Sequence, residues 1–230
     1  MSKEIIFSHS GSMFAYYLGI AEVLQQYDLS DVIFSGTSGG CFPCILLNSK
    51  KNIRSFFNEI LNYIKNNEDS WEKIIRDMLN EYLTDEDIML NKDKFICKLT
   101  KLNSFMLPEK VFIKEWKDKK DFVDCIVASC YVPLMCGDKL YIKYRNEKII
   151  DGFFSGTSNI PTTDNSHILF YPSKWRYINP SWLIPSKDIE WLKSLYELGY
   201  NDTLSNIHNL DLTLKTKKQK EIKIEKNDSF

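Results

Sequence analysis

Histidine, glycine and a surplus of charge of either sign are all scarce in this 230-residue chain. Three histidines leave few bases for a relay that would activate a serine or cysteine. Thirty Lys plus Arg stand against 31 Asp plus Glu. The basic excess of a protein that neutralises phosphates is therefore missing, and no nucleic-acid partner is expected. No stretch approaches the roughly 18 uncharged apolar residues that cross a bilayer. The opening Met-Ser-Lys-Glu-Ile-Ile-Phe passes from charge into a strand-like run without the apolar core of a signal peptide. The expectation is a cytoplasmic chain whose membrane contact is peripheral. Cys41-Phe-Pro-Cys44 has half-zinc spacing, but no second cysteine pair or nearby histidine completes four ligands. The six cysteines read as reduced, buried thiols, and no metal is expected.

What is present suits one globular α/β domain. Hydrophobic residues make up 43% and charged residues 27%, too apolar for a disordered chain. Strand-like residues 4–8 lead into Ser10-Gly11-Ser12 and an apolar helix over 13–26. A second strand over 31–35 enters Gly36-Thr37-Ser38-Gly39-Gly40 and a helix over 41–47. Two strand–loop–helix units in succession predict a mainly parallel sheet between helices, with the active site at the strand carboxyl ends. Helical spacing continues over 52–66 and 70–82, with a capped helix start at 84–87. A strand is expected over 109–116, a helix over 119–130 and a hairpin over 139–151 with its turn at 145–147. A strand over 167–171 and helices over 186–198 and 201–209 follow. Lysines at 215, 217, 218, 220, 223 and 226 suggest a flexible tail over 213–230, beyond a domain over 1–212.

Three of the nine glycines fall within Gly36-Thr-Ser-Gly-Gly40. G-x-S-x-G between a strand and a helix is a sharp turn that needs small residues where the backbone doubles back, and it presents Ser38 at a helix N-terminus. A serine hydroxyl also needs a base. The order Ser, Asp, His of an α/β-hydrolase would recruit His208, yet that fold places several strands before its nucleophile, and here only one precedes the elbow strand. His9 lies in the first loop and His167 opens a strand. Asp151, which ends the Ile149-Ile150 strand ahead of Gly152, sits where strand carboxyl ends converge and is the better candidate.

Together these residues resemble the patatin-like phospholipases, most closely the branch containing adipose triglyceride lipase. The resemblance rests on the Gly36–Gly40 elbow, on Ala128-Ser129 followed by Pro133 and Cys136-Gly137, and on Asp151-Gly152 followed by Asn159 and Pro161. It spans about residues 5–210. It implies that Ser38 is an acyl-accepting nucleophile, that Asp151 is its base without a histidine, and that lipid acyl esters are hydrolysed with no cofactor. It also implies that the loop after the first strand supplies the oxyanion donors, here Gly11 and Ser12, with Tyr16 and Gly19 continuing the helix pattern. His9 and Phe14 stand where that loop carries its outer glycines, and Phe153 replaces the second glycine of Asp-Gly-Gly. A catalytically impaired lipid-binding or regulatory member is the alternative.

Two further features bear on partners. The aromatic and cationic segment over 170–191, rich in Trp, Tyr and Lys, has the composition of a surface that meets a membrane or lipid droplet. The Lys-rich tail would add attraction to an anionic leaflet. Protein partners are not legible in the sequence.

Overall fold

The computed structural model describes residues 3–164, 166–211 and 214. The tail expected over 213–230 lies outside these residues except for Leu214. The chain begins with strand β1 (Lys3–Phe7), helix α1 (Phe14–Leu24), strand β2 (Val32–Thr37) and helix α2 (Cys41–Asn48). Helices α3 (Ile53–Asn66), α4 (Trp71–Tyr82) and α5 (Asp85–Asn91) follow. Asn52 and Ser70 cap α3 and α4, and Thr84 forms a reciprocal capping box with Asp87 at the start of α5.

Strand β3 (Phe95–Leu102) pairs with β4 (Pro108–Ile113), and helix α6 (Lys119–Ser129) leads to the hairpin β5 (Ile142–Tyr144) and β6 (Glu147–Asp151). Positive φ at Arg145 and Asn146 places the hairpin turn where the sequence predicts it. Strand β7 (His167–Phe170), helix α7 (Ile189–Ser205) and the short α8 (Ile207–Asp211) complete the described chain.

The sheet order is β5-β6-β3-β2-β1-β7, with β4 on the other edge of β3. β3, β2, β1 and β7 form a parallel centre, and β4, β5 and β6 add an antiparallel end. The architecture is α/β, a mainly parallel central sheet flanked by helices.

Two elements differ from the sequence reading. β3 was not expected, because Lys98 and Lys101 interrupt what would otherwise be an apolar run. Residues 186–198 and 201–209 were expected as two helices, but α7 runs unbroken through Gly199 to Ser205. Its contact with α1 carries it past that residue: Tyr16 Oη donates to Asp202 Oδ2 at 2.7 Å, and Arg176 closes on the same carboxylate.

Side chains alternate across each strand, so the register divides the sheet into two faces. Ile5, Phe7, Phe34, Phe95, Leu99 and Ile149 join the main apolar core. The opposite face carries Glu4, Ser35, Lys98 and Thr100, all buried, and the segment over 155–163 covers it. Lys98 Nζ donates to the carbonyls of Ile160 at 2.8 Å and Ser158 at 3.3 Å. The Glu4 carboxylate accepts from Ser35 and from the backbone and hydroxyls of Thr162 and Thr163. Burial pushes the Glu4 carboxyl up, and these bonds outweigh it and hold the group below its ordinary range. Burial also draws the Lys98 ammonium down to about 8, against the pull of Glu4.

Lys98→Met keeps the stem but strips two carbonyls of their donor and removes the charge facing Glu4. Urea denaturation at pH 7 should show a loss of roughly 3 kcal/mol. An unchanged midpoint would mean that water replaces the ammonium without cost.

Candidate active site

Ser38 follows β2 directly and sits at φ 56°, a left-handed conformation that a non-glycine residue adopts only under constraint. The constraint is steric. A Cβ on Gly40 would lie 2.3 Å from the Ser8 carbonyl oxygen, and one on Gly36 would lie 2.8 Å from the Cys41 Cα. The turn therefore packs against β1 and α2 more closely than a side chain allows, and it places Ser38, itself 6% exposed, at the apex.

Asp151 reaches the same place through register. Thr37, the last residue of β2, is opposite Lys98 on β3, and Asp151, the last of β6, is opposite the next residue, Leu99. β4 occupies the other edge of β3 over this stretch, so β2 and β6 share one edge and meet end to end. The junction has no spare space. A Cβ on Gly152 would fall 2.4 Å from the Lys98 carbonyl oxygen and 2.8 Å from Thr37 Cγ2.

The carboxyl end of α6 holds both residues from behind. The Ser38 N–H donates to Ser129 Oγ at 2.9 Å, and Ser129 Oγ donates to the Lys98 carbonyl at 2.8 Å. Two residues later the Tyr131 carbonyl accepts the Asp151 N–H at 2.8 Å. Ala128-Ser129 was legible as part of a motif. The grip of Ser129 on the elbow was not, because it depends on how α6 docks against β3 and β6.

The Asp151 carboxyl is 1% exposed. Oδ1 accepts from the Phe153 N–H at 2.9 Å, while Oδ2 has no hydrogen-bond partner. Burial raises its pKa and the neighbouring Ser38 hydroxyl and the Phe153 amide offset part of that rise, leaving the group at about 6. The Ser38 hydroxyl is a neighbour of this carboxyl, whose Oδ2 is left without a partner.

An apolar pocket opens on Ser38, walled by Gly11, Phe14, Phe42, Trp71, Val132 and Pro185 among others. Its free space is about 40 Å³, which accommodates a few waters and no fatty-acyl chain. Gly11 has φ 51°, and a Cβ there would strike the Leu183 carbonyl oxygen at 1.6 Å, so only glycine fits beneath the segment over 180–185. Ser12 is buried, and its hydroxyl donates to the Ile184 carbonyl at 2.6 Å.

The residues standing in place of loop glycines have packing partners. The Phe14 ring meets Phe42 and Trp71, and the His9 ring lies 4.5 Å from Phe153. Burial lowers the His9 pKa, and its Nδ1 has no partner. His167 lies at the amino end of β7 and His208 is exposed on α8, so neither belongs to the Ser38 surroundings.

The six cysteines are buried and unbridged. Cys41 Sγ lies 3.8 Å from Cys97 Sγ, and Cys44 donates to the Gly40 carbonyl, so this pair packs α2 against the sheet. Among the described residues, no three His, Cys, Asp or Glu side chains are gathered as a metal site requires. The aromatic segment expected to face lipid is partly folded inward. Trp182 and Trp191 pack edge to face at 5.0 Å, and Trp175 packs on Phe170 at 5.8 Å.

No family model matches the chain. It is 34% identical to mouse 1-acylglycerol-3-phosphate O-acyltransferase Pnpla3, over 40% of its own length and 21% of that protein. It is 26% identical to the mouse omega-hydroxyceramide transacylase over 60% of this chain and 27% of the relative. The human protein of that name is 29% identical over 36% and 15%. The chain is related to the patatin-like phospholipases. It spans less than a third of the length of each of these patatin-like relatives. Among the described residues no helix is long and apolar enough to cross a membrane.

Because Asp151 is buried with one oxygen unpaired, its ionisation opposes folding. Its folded pKa lies above the ordinary 3.8, so the group's contribution is most favourable below about pH 4 and is lost as pH rises through about 6. Asp151→Asn should be more stable than the parent at pH 7.5, by an amount of order 2–3 kcal/mol, and should match it near pH 4. A gap that does not change between those pH values would show that the carboxylate is not desolvated.

Proposed function

We propose that the chain is a serine hydrolase of lipid acyl esters. Ser38 Oγ attacks the ester carbonyl, and Asp151 takes its proton and then returns it to the departing alcohol. The Gly11 and Ser12 amides receive the oxyanion. The observation that supports this reading is the convergence, where β2 and β6 end at neighbouring residues of β3, of a serine held at positive φ and a buried carboxylate with one oxygen uncommitted. A base of pKa near 6 is largely ionised at neutral pH, and remains basic enough to accept a proton in the transition state. Water attacks the acyl-enzyme in the second half of the cycle, by the same base in the same position. The lipid acyl chemistry named in the relatives supports the substrate class, and the apolar lining beside Ser38 is compatible with it.

A second reading is acyl transfer, in which a lipid alcohol replaces water in the second half. The acyltransferase and transacylase names of the relatives favour it.

The test is a fluorophosphonate label followed by a panel of phospholipids and acylglycerols, each assayed with and without an added lipid alcohol. Labelling should vanish in Ser38→Ala, and kcat/KM should rise with pH through about 6 as Asp151 loses its proton. Loss of Ser38 or of Asp151 should cost on the order of 10³-fold or more in kcat. New acylated alcohol at the expense of free fatty acid would select transfer. Normal vesicle binding with no turnover of any ester would select the non-catalytic alternative.

A further inference from the structure

We propose that the turn between β3 and β4 is an insertion element that seats the protein on a phospholipid surface. The turn carries Phe105, Met106 and Leu107 in succession, and these are 82%, 42% and 59% exposed. Three consecutive exposed apolar side chains at a hairpin tip are costly in water, and among the described residues none of them is buried in the core.

The backbone of the tip is prepared for an apolar medium. Asn103 Oδ1 accepts the N–H groups of Phe105 at 2.9 Å and Leu107 at 3.0 Å, the Asn103 carbonyl accepts from Met106, and the Asn103 N–H donates to the Leu107 carbonyl. Asn103 Nδ2 is itself bonded to Glu109. The amide donors of Phe105, Met106 and Leu107, which an ordinary exposed loop leaves to water, are satisfied here from within the turn, and this lowers the cost of moving the tip into a lipid layer. A protein partner could supply such bonds itself. Hydrocarbon cannot, so the occupant the geometry favours is lipid.

The charge around the tip fits the same occupant. Lys148 Nζ lies 3.7 Å from Met106 Sδ and over the Tyr141 ring. Lys101 and Lys110 flank the hairpin stem on β3 and β4, and Glu109 and Glu147 are the acids beside them, the latter paired with Lys101. The balance is one positive charge at the level of lipid headgroups, with apolar residues beyond it.

The tip also lies on the carboxyl side of the sheet. Leu99 is opposite Asp151, and β3 runs on to Leu102, roughly 10 Å at about 3.3 Å per residue. The exposed Phe153 and Phe154 follow Asp151 along that extension, where the Ser155 N–H donates to Thr100 Oγ1. A surface held at the tip therefore lies beyond the carboxyl ends of the central strands. The placement matters for catalysis only under the ester-hydrolase reading of Ser38 and Asp151. The docking itself does not depend on that reading.

The full chain should co-sediment with phosphatidylcholine vesicles containing phosphatidylserine. Phe105→Asp combined with Leu107→Asp should weaken binding at least about tenfold and slow turnover of vesicle lipid, leaving turnover of a water-soluble short-chain ester as in the parent. In a second variant, Phe105→Trp, indole emission should shift to the blue when vesicles are added. Parent-like vesicle binding by the double variant, or unshifted emission from Phe105→Trp, overturns the proposal. A parent that binds vesicles through this tip but turns over no ester leaves docking standing and removes the hydrolase reading instead.

Discussion

A strand has two edges, and β3 uses one of them twice. Its first half pairs with β2, its second half pairs with β6 on the same side, and β4 closes the other. The two partners run toward each other and stop at neighbouring residues, Lys98 and Leu99. The end of β2 carries an elbow serine and the end of β6 carries an aspartate, so the pairing register brings them together. The Ser129–Tyr131 stretch then fixes the backbone of both from one side. Ladder hydrogen bonds, each modest alone, act here as a cooperative frame in which neither residue moves independently.

The polar underside of the sheet and the junction above it treat buried charge in opposite ways. Glu4 is surrounded by donors and Lys98 faces two carbonyls, and together they hold down the segment over 155–163 that follows Asp151. These charges are satisfied and structural. Asp151 is as deeply buried but has one oxygen without a donor, so it retains a tendency to take a proton. The well-bonded pair stabilises the frame within which the poorly bonded carboxylate persists, a division seen where reactivity is kept at a cost in stability.

Local features were legible in the sequence where a short-range rule governed them. The glycines around Ser38, the turn at Arg145-Asn146, the capped helix start at Thr84 and the end of a strand at Asp151 each follow from spacing and residue type. β3 was hidden because the polar face of this sheet is buried: Lys98 signals solvent to any periodicity argument, while its ammonium is spent on carbonyls from residues some 60 positions later. The Ser129 contact with the elbow, and the covering of Gly11 by Leu183, were equally out of reach. Both depend on how distant segments dock. The exposure of 105–107 leaves no mark in the sequence, where three successive apolar residues read as core, while the aromatic composition of 170–191 marks a surface whose tryptophans in fact turn partly inward.

Placing Ser38 and Asp151 along a single edge of β3 also sets where the chain can change length. One residue added between Lys98 and Leu99 would carry the aspartate about 3.3 Å along β3 and turn its side chain to the opposite face. A residue added in the turn at 145–146, or a swap of the whole tip at 103–107 for a foreign sequence, leaves that placement unaltered. Grafting at those turns is therefore open to engineering, and indels at the middle of β3 are closed to it.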